Sequence, residues 1–129
     1  MITEKIFKNI ILTKVALIVA YFCLAIAEDL ISPIDEDLSL TWLDSIILVL
    51  LFGYILSIIL LYKFKPFGKT LFVSTFVLSI VLILFEGEDF FIINYSSLTP
   101  FISVVEELLG VVDGIILATL YFTSIKGKF

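Results

Sequence analysis

Ser45-Ile46-Ile47-Leu48-Val49-Leu50-Leu51-Phe52-Gly53-Tyr54-Ile55-Leu56-Ser57-Ile58-Ile59-Leu60-Leu61-Tyr62 is a run of 18 residues without a charge, closed by Lys63. At about 1.5 Å per residue it makes about 27 Å of helix, close to the hydrocarbon thickness of a bilayer, and a terminal lysine can reach the headgroups. The run predicts a transmembrane helix over 45–62.

Three more segments resemble it. Residues 70–85 carry no charge; 10–27 are apolar apart from Lys14; 108–125 are interrupted only by Asp113. Lys14 lies near the start of its segment, where its amine is expected to snorkel to the headgroups. The expected fold is therefore all-α, a four-transmembrane-helix bundle forming one integral domain over 1–129. Composition agrees: 61% of the 129 residues are hydrophobic and 16% charged, and the mean hydropathy is +1.22. A water-soluble domain this small cannot bury so much apolar surface. The first segment also reads as a signal peptide, because lysines precede it and Ala25-Ile26-Ala27 has the small-x-small form of a cleavage site.

The absence of histidine and the presence of a single cysteine speak against His-ligated zinc, Ser-His-Asp or Cys-His catalysis and disulfide scaffolds. No enzyme, no cofactor and no metal are expected, and Cys23 reads as a small packing residue. Without arginine or a basic groove, nucleic acid is not an expected partner.

The lysines set the orientation. Lys5, Lys8 and Lys14 lie before or at the start of helix one, Lys63, Lys65 and Lys69 between helices two and three, and Lys126 and Lys128 after helix four. Four crossings bring these clusters to one face, which the positive-inside rule makes cytoplasmic, with both termini inside. Of the 13 acidic residues only Glu4 shares that face; the others occupy 28–44 and 86–113. The outer rim is acidic.

An internal likeness joins the two halves. Glu28-Asp29-Leu30 resembles Glu88-Asp89-Phe90, and Leu43-Asp44-Ser45-Ile46-Ile47-Leu48 resembles Val112-Asp113-Gly114-Ile115-Ile116-Leu117. This fits two duplicated helical hairpins related by an axis along the membrane normal, and it fits equally two apolar hairpins converging on one pattern. Residues 90–107 are expected to lie in the outer interface or to lengthen helix four, with a turn at Ser96-Ser97-Leu98-Thr99-Pro100 that can start a helix at or just after Pro100. Trp42, Tyr95 and Phe101 would belt the outer surface, and Tyr62, Phe64, Phe67, Tyr121 and Phe129 the inner one.

Small residues one turn apart mark expected helix contacts in lipid: Gly110, Gly114 and Ala118 in helix four, Gly53 and Ser57 in helix two, Ala16 and Ala20 in helix one. Internal packing and a homodimer face are the two readings of the helix-four stripe. Asp113 should not face lipid. If the repeat holds, it faces Asp44 near the axis, with Ser45, Thr41 or Tyr54 in reach; if helix four starts later, it lies among headgroups. Asp44 and Asp113, with Glu106 and Glu107, form the candidate polar site, suited to proton or cation handling or to a partner. Two other readings carry less. An intramembrane aspartyl protease needs a Gly before the Asp where Val112 stands, and a calcium site at Glu86, Glu88, Asp89, Asp35, Glu36 and Asp37 lacks EF-hand spacing.

The C-terminal run Gly114-Ile115-Ile116-Leu117-Ala118-Thr119-Leu120-Tyr121-Phe122-Thr123-Ser124-Ile125-Lys126-Gly127-Lys128-Phe129 resembles the ending of small four-helix bacterial inner-membrane immunity proteins. The resemblance implies a protein without an enzymatic site that binds a pore-forming or membrane-targeting toxin and stops it acting. It transfers no binding residues. An acidic outer rim would meet such a toxin first, since complementary charge steers encounter. Two further functions are compatible with the residues: an accessory subunit of a larger membrane complex, and a small oligomeric channel or transporter using Asp113 and Asp44.

Overall fold

The computed structural model describes residues 2–31, 42–86 and 98–129. The elements among the described residues are helices: α1 (Glu4–Ile31), α2 (Trp42–Tyr62), α3 (Pro66–Glu86) and α4 (Thr99–Phe122), followed by a 3₁₀ turn at Ser124–Lys128. Three of the four helices, over Glu4–Ile31, Ser45–Tyr62 and Pro66–Phe85, are long and apolar enough to cross a membrane. Phe52, Leu84, Phe85 and Phe122 are 76, 78, 83 and 87% exposed. Outward-turned apolar side chains of this kind are consistent with membrane association.

The helices extend beyond the apolar runs because capping chemistry, rather than polarity, ends them. Thr3 caps α1: its hydroxyl accepts from the Ile6 N–H at 3.4 Å and its carbonyl from the Phe7 N–H at 3.0 Å. The helix therefore begins at Glu4, six residues before the apolar run, and Glu4 suits the positive end of the dipole. In α4 the expectation of a start near Leu108 is corrected. Pro100 sits in the first turn, where its missing N–H costs nothing. Phe101 and Ile102 donate to the Leu98 carbonyl at 3.0 and 3.1 Å. Residues 99–107 are thus the opening turns of α4, the lengthening of helix four that is one of the two expectations, rather than a separate interfacial segment, and 90–97 lie outside the described residues. At the other end Thr123, with extended backbone, stops α4 at Phe122 instead of Ile125.

Contacts divide the described chain into two helix pairs, α1 with α4 and α2 with α3. The pairing runs across the halves that the internal likeness would make into hairpins.

In the α2–α3 pair the connection is a tight Schellman turn. Phe64 donates to the Leu61 carbonyl at 3.0 Å and Lys65 to the Leu60 carbonyl at 2.9 Å. Phe64 takes the left-handed conformation, φ 53°, and its ring lies 5.5 Å from that of Phe129. Pro66 then opens α3. Gly68 fits because it has no side chain: a Cβ there would lie 2.7 Å from the Leu60 Cβ and 2.9 Å from backbone atoms of Leu60 and Leu61. Further along the seam a Cβ on Gly53 would lie 3.0 Å from the Thr75 methyl, Ser57, Ile58, Leu61 and Phe72 are buried, and Tyr54 stacks on Phe72. The Ser57 hydroxyl donates to the Tyr54 carbonyl at 2.6 Å and that of Ser79 to the Thr75 carbonyl at 2.7 Å. Hydroxyls satisfied on their own helix can be carried into hydrocarbon without an unpaired donor.

A buried ion pair as the candidate functional site

The α1 face that meets α4 is spaced by three and four residues: Phe7, Ile11 and Lys14 are buried along it. From α4 and the turn beyond it, Ile102, Asp113, Ile116, Thr119, Leu120 and Ile125 are buried. The two helices run antiparallel, since Ser124 donates to the Ile2 carbonyl at 3.2 Å while Tyr21 hydrogen-bonds Glu106.

Between these two contacts lies the centre of the site. The Lys14 ammonium is 2.8 Å from the Asp113 carboxylate and donates to the Leu109 carbonyl at 2.9 Å. Leu109 and Asp113 stand one turn apart, so a carboxylate and the second lone pair of a helix carbonyl converge on one cation. The Lys14 side chain is 2% exposed and that of Asp113 13%. Snorkelling, expected for Lys14, does not occur: the amine turns inward because a counter-ion and a carbonyl meet it there. Asp113 likewise finds a lysine on α1. The side chain of Asp44, its expected companion, lies outside the described ones, as does the calcium reading at Glu86, Glu88, Asp89, Asp35, Glu36 and Asp37.

A lone charge at the centre of a bilayer costs about 2.5–3.5 kcal/mol on insertion scales, and a pair with satisfied hydrogen bonds removes much of that cost. Among the described residues no buried side-chain nitrogen or oxygen lacks a partner, and no cluster of metal-ligating side chains occurs. The arrangement is a polar clamp between two helices.

Of the remaining candidates, Glu106 is half-buried beside Tyr21 and Glu107 is exposed. Gly53 and Ser57 lie in the α2–α3 seam. Gly110, Gly114 and Ala118 are exposed, and no atom lies within 4 Å of a Cβ built on either glycine. Ala16 is exposed, Ala20 half-buried and Cys23 exposed.

Sequence reasoning missed the partnership of Lys14 with Asp113, although a signal existed. Lys14 lies ten residues inside the start of α1 and Asp113 nine before the end of α4, depths of about 15 and 14 Å at 1.5 Å per residue. Two opposite charges at nearly equal distance from the paired ends of two antiparallel helices are natural counter-ions.

Comparison with known proteins returned no match to a family model, to a curated protein or to a solved structure.

Proposed function

We propose that this chain is a four-crossing protein of the bacterial inner membrane, both termini cytoplasmic, that acts by binding another membrane-active protein. In its most specific form it is an immunity protein that blocks a pore-forming or membrane-targeting toxin. The observation that supports a binding role is the Lys14–Asp113 pair. The carboxylate that a proton or cation carrier would use is engaged in holding two helices together, and the acids toward the other end of the α1–α4 pair, Asp29 and Glu107 among them, are exposed. A basic segment approaching from the outer face would meet them first, and such charges act on encounter and discrimination.

The test is protection. Sensitive cells expressing the chain are challenged with a pore-forming or membrane-targeting toxin, and survival is compared with cells lacking it. Survival that rises, and falls again with Asp29→Lys and Glu107→Lys, supports the reading; equal sensitivity with and without the protein removes it.

The exposed stripe Gly110, Gly114 and Ala118 favours a second reading, an accessory subunit whose α4 packs on a helix of a larger complex. A partner that stays bound through purification in mild detergent, and is lost with Gly114→Leu, would replace the first reading with this one.

A further inference from the structure

α4 differs from the other helices in a way that matters for how it reaches the membrane. α1, α2 and α3 each contain a window apolar enough to span, and α4 is not among the spans. Glu106, Glu107 and Asp113 divide it, and the part of α4 after Asp113, 114–122, holds nine residues, about 14 Å of helix against about 30 Å of hydrocarbon. To cross, α4 must take Asp113 into the apolar layer. The ion available there is the Lys14 ammonium, 2.8 Å away, carried by a helix whose own hydropathy suffices for insertion. The Leu109 carbonyl adds a second acceptor for the same ammonium. Each helix alone carries an uncompensated charge into lipid; the two together carry a neutral pair.

We propose that α4 is a conditional crossing: it enters the bilayer by pairing its Asp113 with Lys14 of an α1 that is already inserted, and without that lysine it stays on the outer face. This rests on the four-crossing topology proposed above. With α4 outside, three crossings remain and the C-terminus moves to the opposite side of the membrane. Lys126 and Lys128 favour the inner side, so the ion pair and these lysines act together in the intact chain.

The location of the C-terminus reads the state directly. Gly127 is exposed with no atom within 4 Å of a Cβ, so Gly127→Cys in a Cys23→Ala background gives a single reporter thiol. The full chain is synthesised cell-free into inverted inner-membrane vesicles, whose cytoplasmic face points outward and where cellular proteolysis does not remove a variant. The thiol is then treated with a membrane-impermeant maleimide before and after detergent. The otherwise unaltered chain is expected to react fully before detergent, and Lys14→Leu to lose about tenfold or more of that reactivity, recovering it on solubilisation. Lys14→Leu/Asp113→Leu and Asp113→Leu are expected to react like the unaltered chain, because no lone carboxylate then opposes crossing. Undiminished reactivity of Lys14→Leu overturns the proposal and leaves the topology standing. Protection of the double variant overturns it too, since the lysine would then act by something other than neutralising Asp113. Protection of the unaltered chain overturns the four-crossing topology itself.

Discussion

The ammonium of Lys14 and the carboxylate of Asp113 meet at 2.8 Å inside the α1–α4 pair, and the same ammonium bonds the carbonyl one turn above Asp113. Removing one partner of a buried pair leaves an uncompensated charge, at a cost of about 3–5 kcal/mol, whereas replacing both by apolar residues is often neutral or better. Lys14→Met is therefore expected to lower stability by about that amount, and Lys14→Met/Asp113→Leu to restore most of it. Unfolding of the purified protein in detergent, followed by circular dichroism, measures both. Equal loss in the single and double variants would contradict the clamp.

Gly68 is expected to tolerate no side chain. A Cβ would sit 2.7 Å from the Leu60 Cβ and 2.9 Å from backbone, and backbone atoms cannot step aside as a flexible side chain can. Gly68→Ala should cost about 1–3 kcal/mol, and Gly68→Val more, in the same unfolding measurement.

At Phe64 the usual order of alanine over glycine is expected to reverse. Its φ of 53° is a conformation that costs an L-residue about 1–2 kcal/mol and glycine nothing. Both Phe64→Ala and Phe64→Gly lose the contact with the Phe129 ring, so the ring cancels in the comparison. The glycine variant should be the more stable by about 1 kcal/mol; a less stable one would mean that the turn rearranges.

On α4 the prediction for glycine runs the other way. Gly110 and Gly114 have open space where a Cβ would go, and alanine is favoured over glycine inside a helix by about 1 kcal/mol. Gly110→Ala and Gly114→Ala are expected to leave the melting temperature unchanged or raised. A drop confined to the oligomeric or partner-bound form would identify the face as a contact.

Much of this architecture is legible in the sequence because hydropathy reports solvent directly. The uncharged runs 45–62 and 70–85 lie inside α2 and α3, and the lysine-rich stretch between them holds the turn. The ends were less legible. Thr3, Phe64 and Pro100 decide where helices begin and stop through hydrogen bonds and backbone angles, which a tally of apolar residues does not see. The site was least legible, because hydropathy weighs each charge alone. Lys14 and Leu109, 95 positions apart, become neighbours only through packing, so a lysine fit for the headgroups and an aspartate in need of an explanation turn out to be one interaction.

That α1 pairs with α4 while α2 pairs with α3 also bears on the order in which the nascent chain matures. The middle hairpin can close as soon as its second arm leaves the ribosome, over a turn of a few residues. The first helix made must wait for the last. A prematurely terminated product would therefore leave α1 without its mate and the Lys14 ammonium without the carboxylate and carbonyl that meet it in the finished chain.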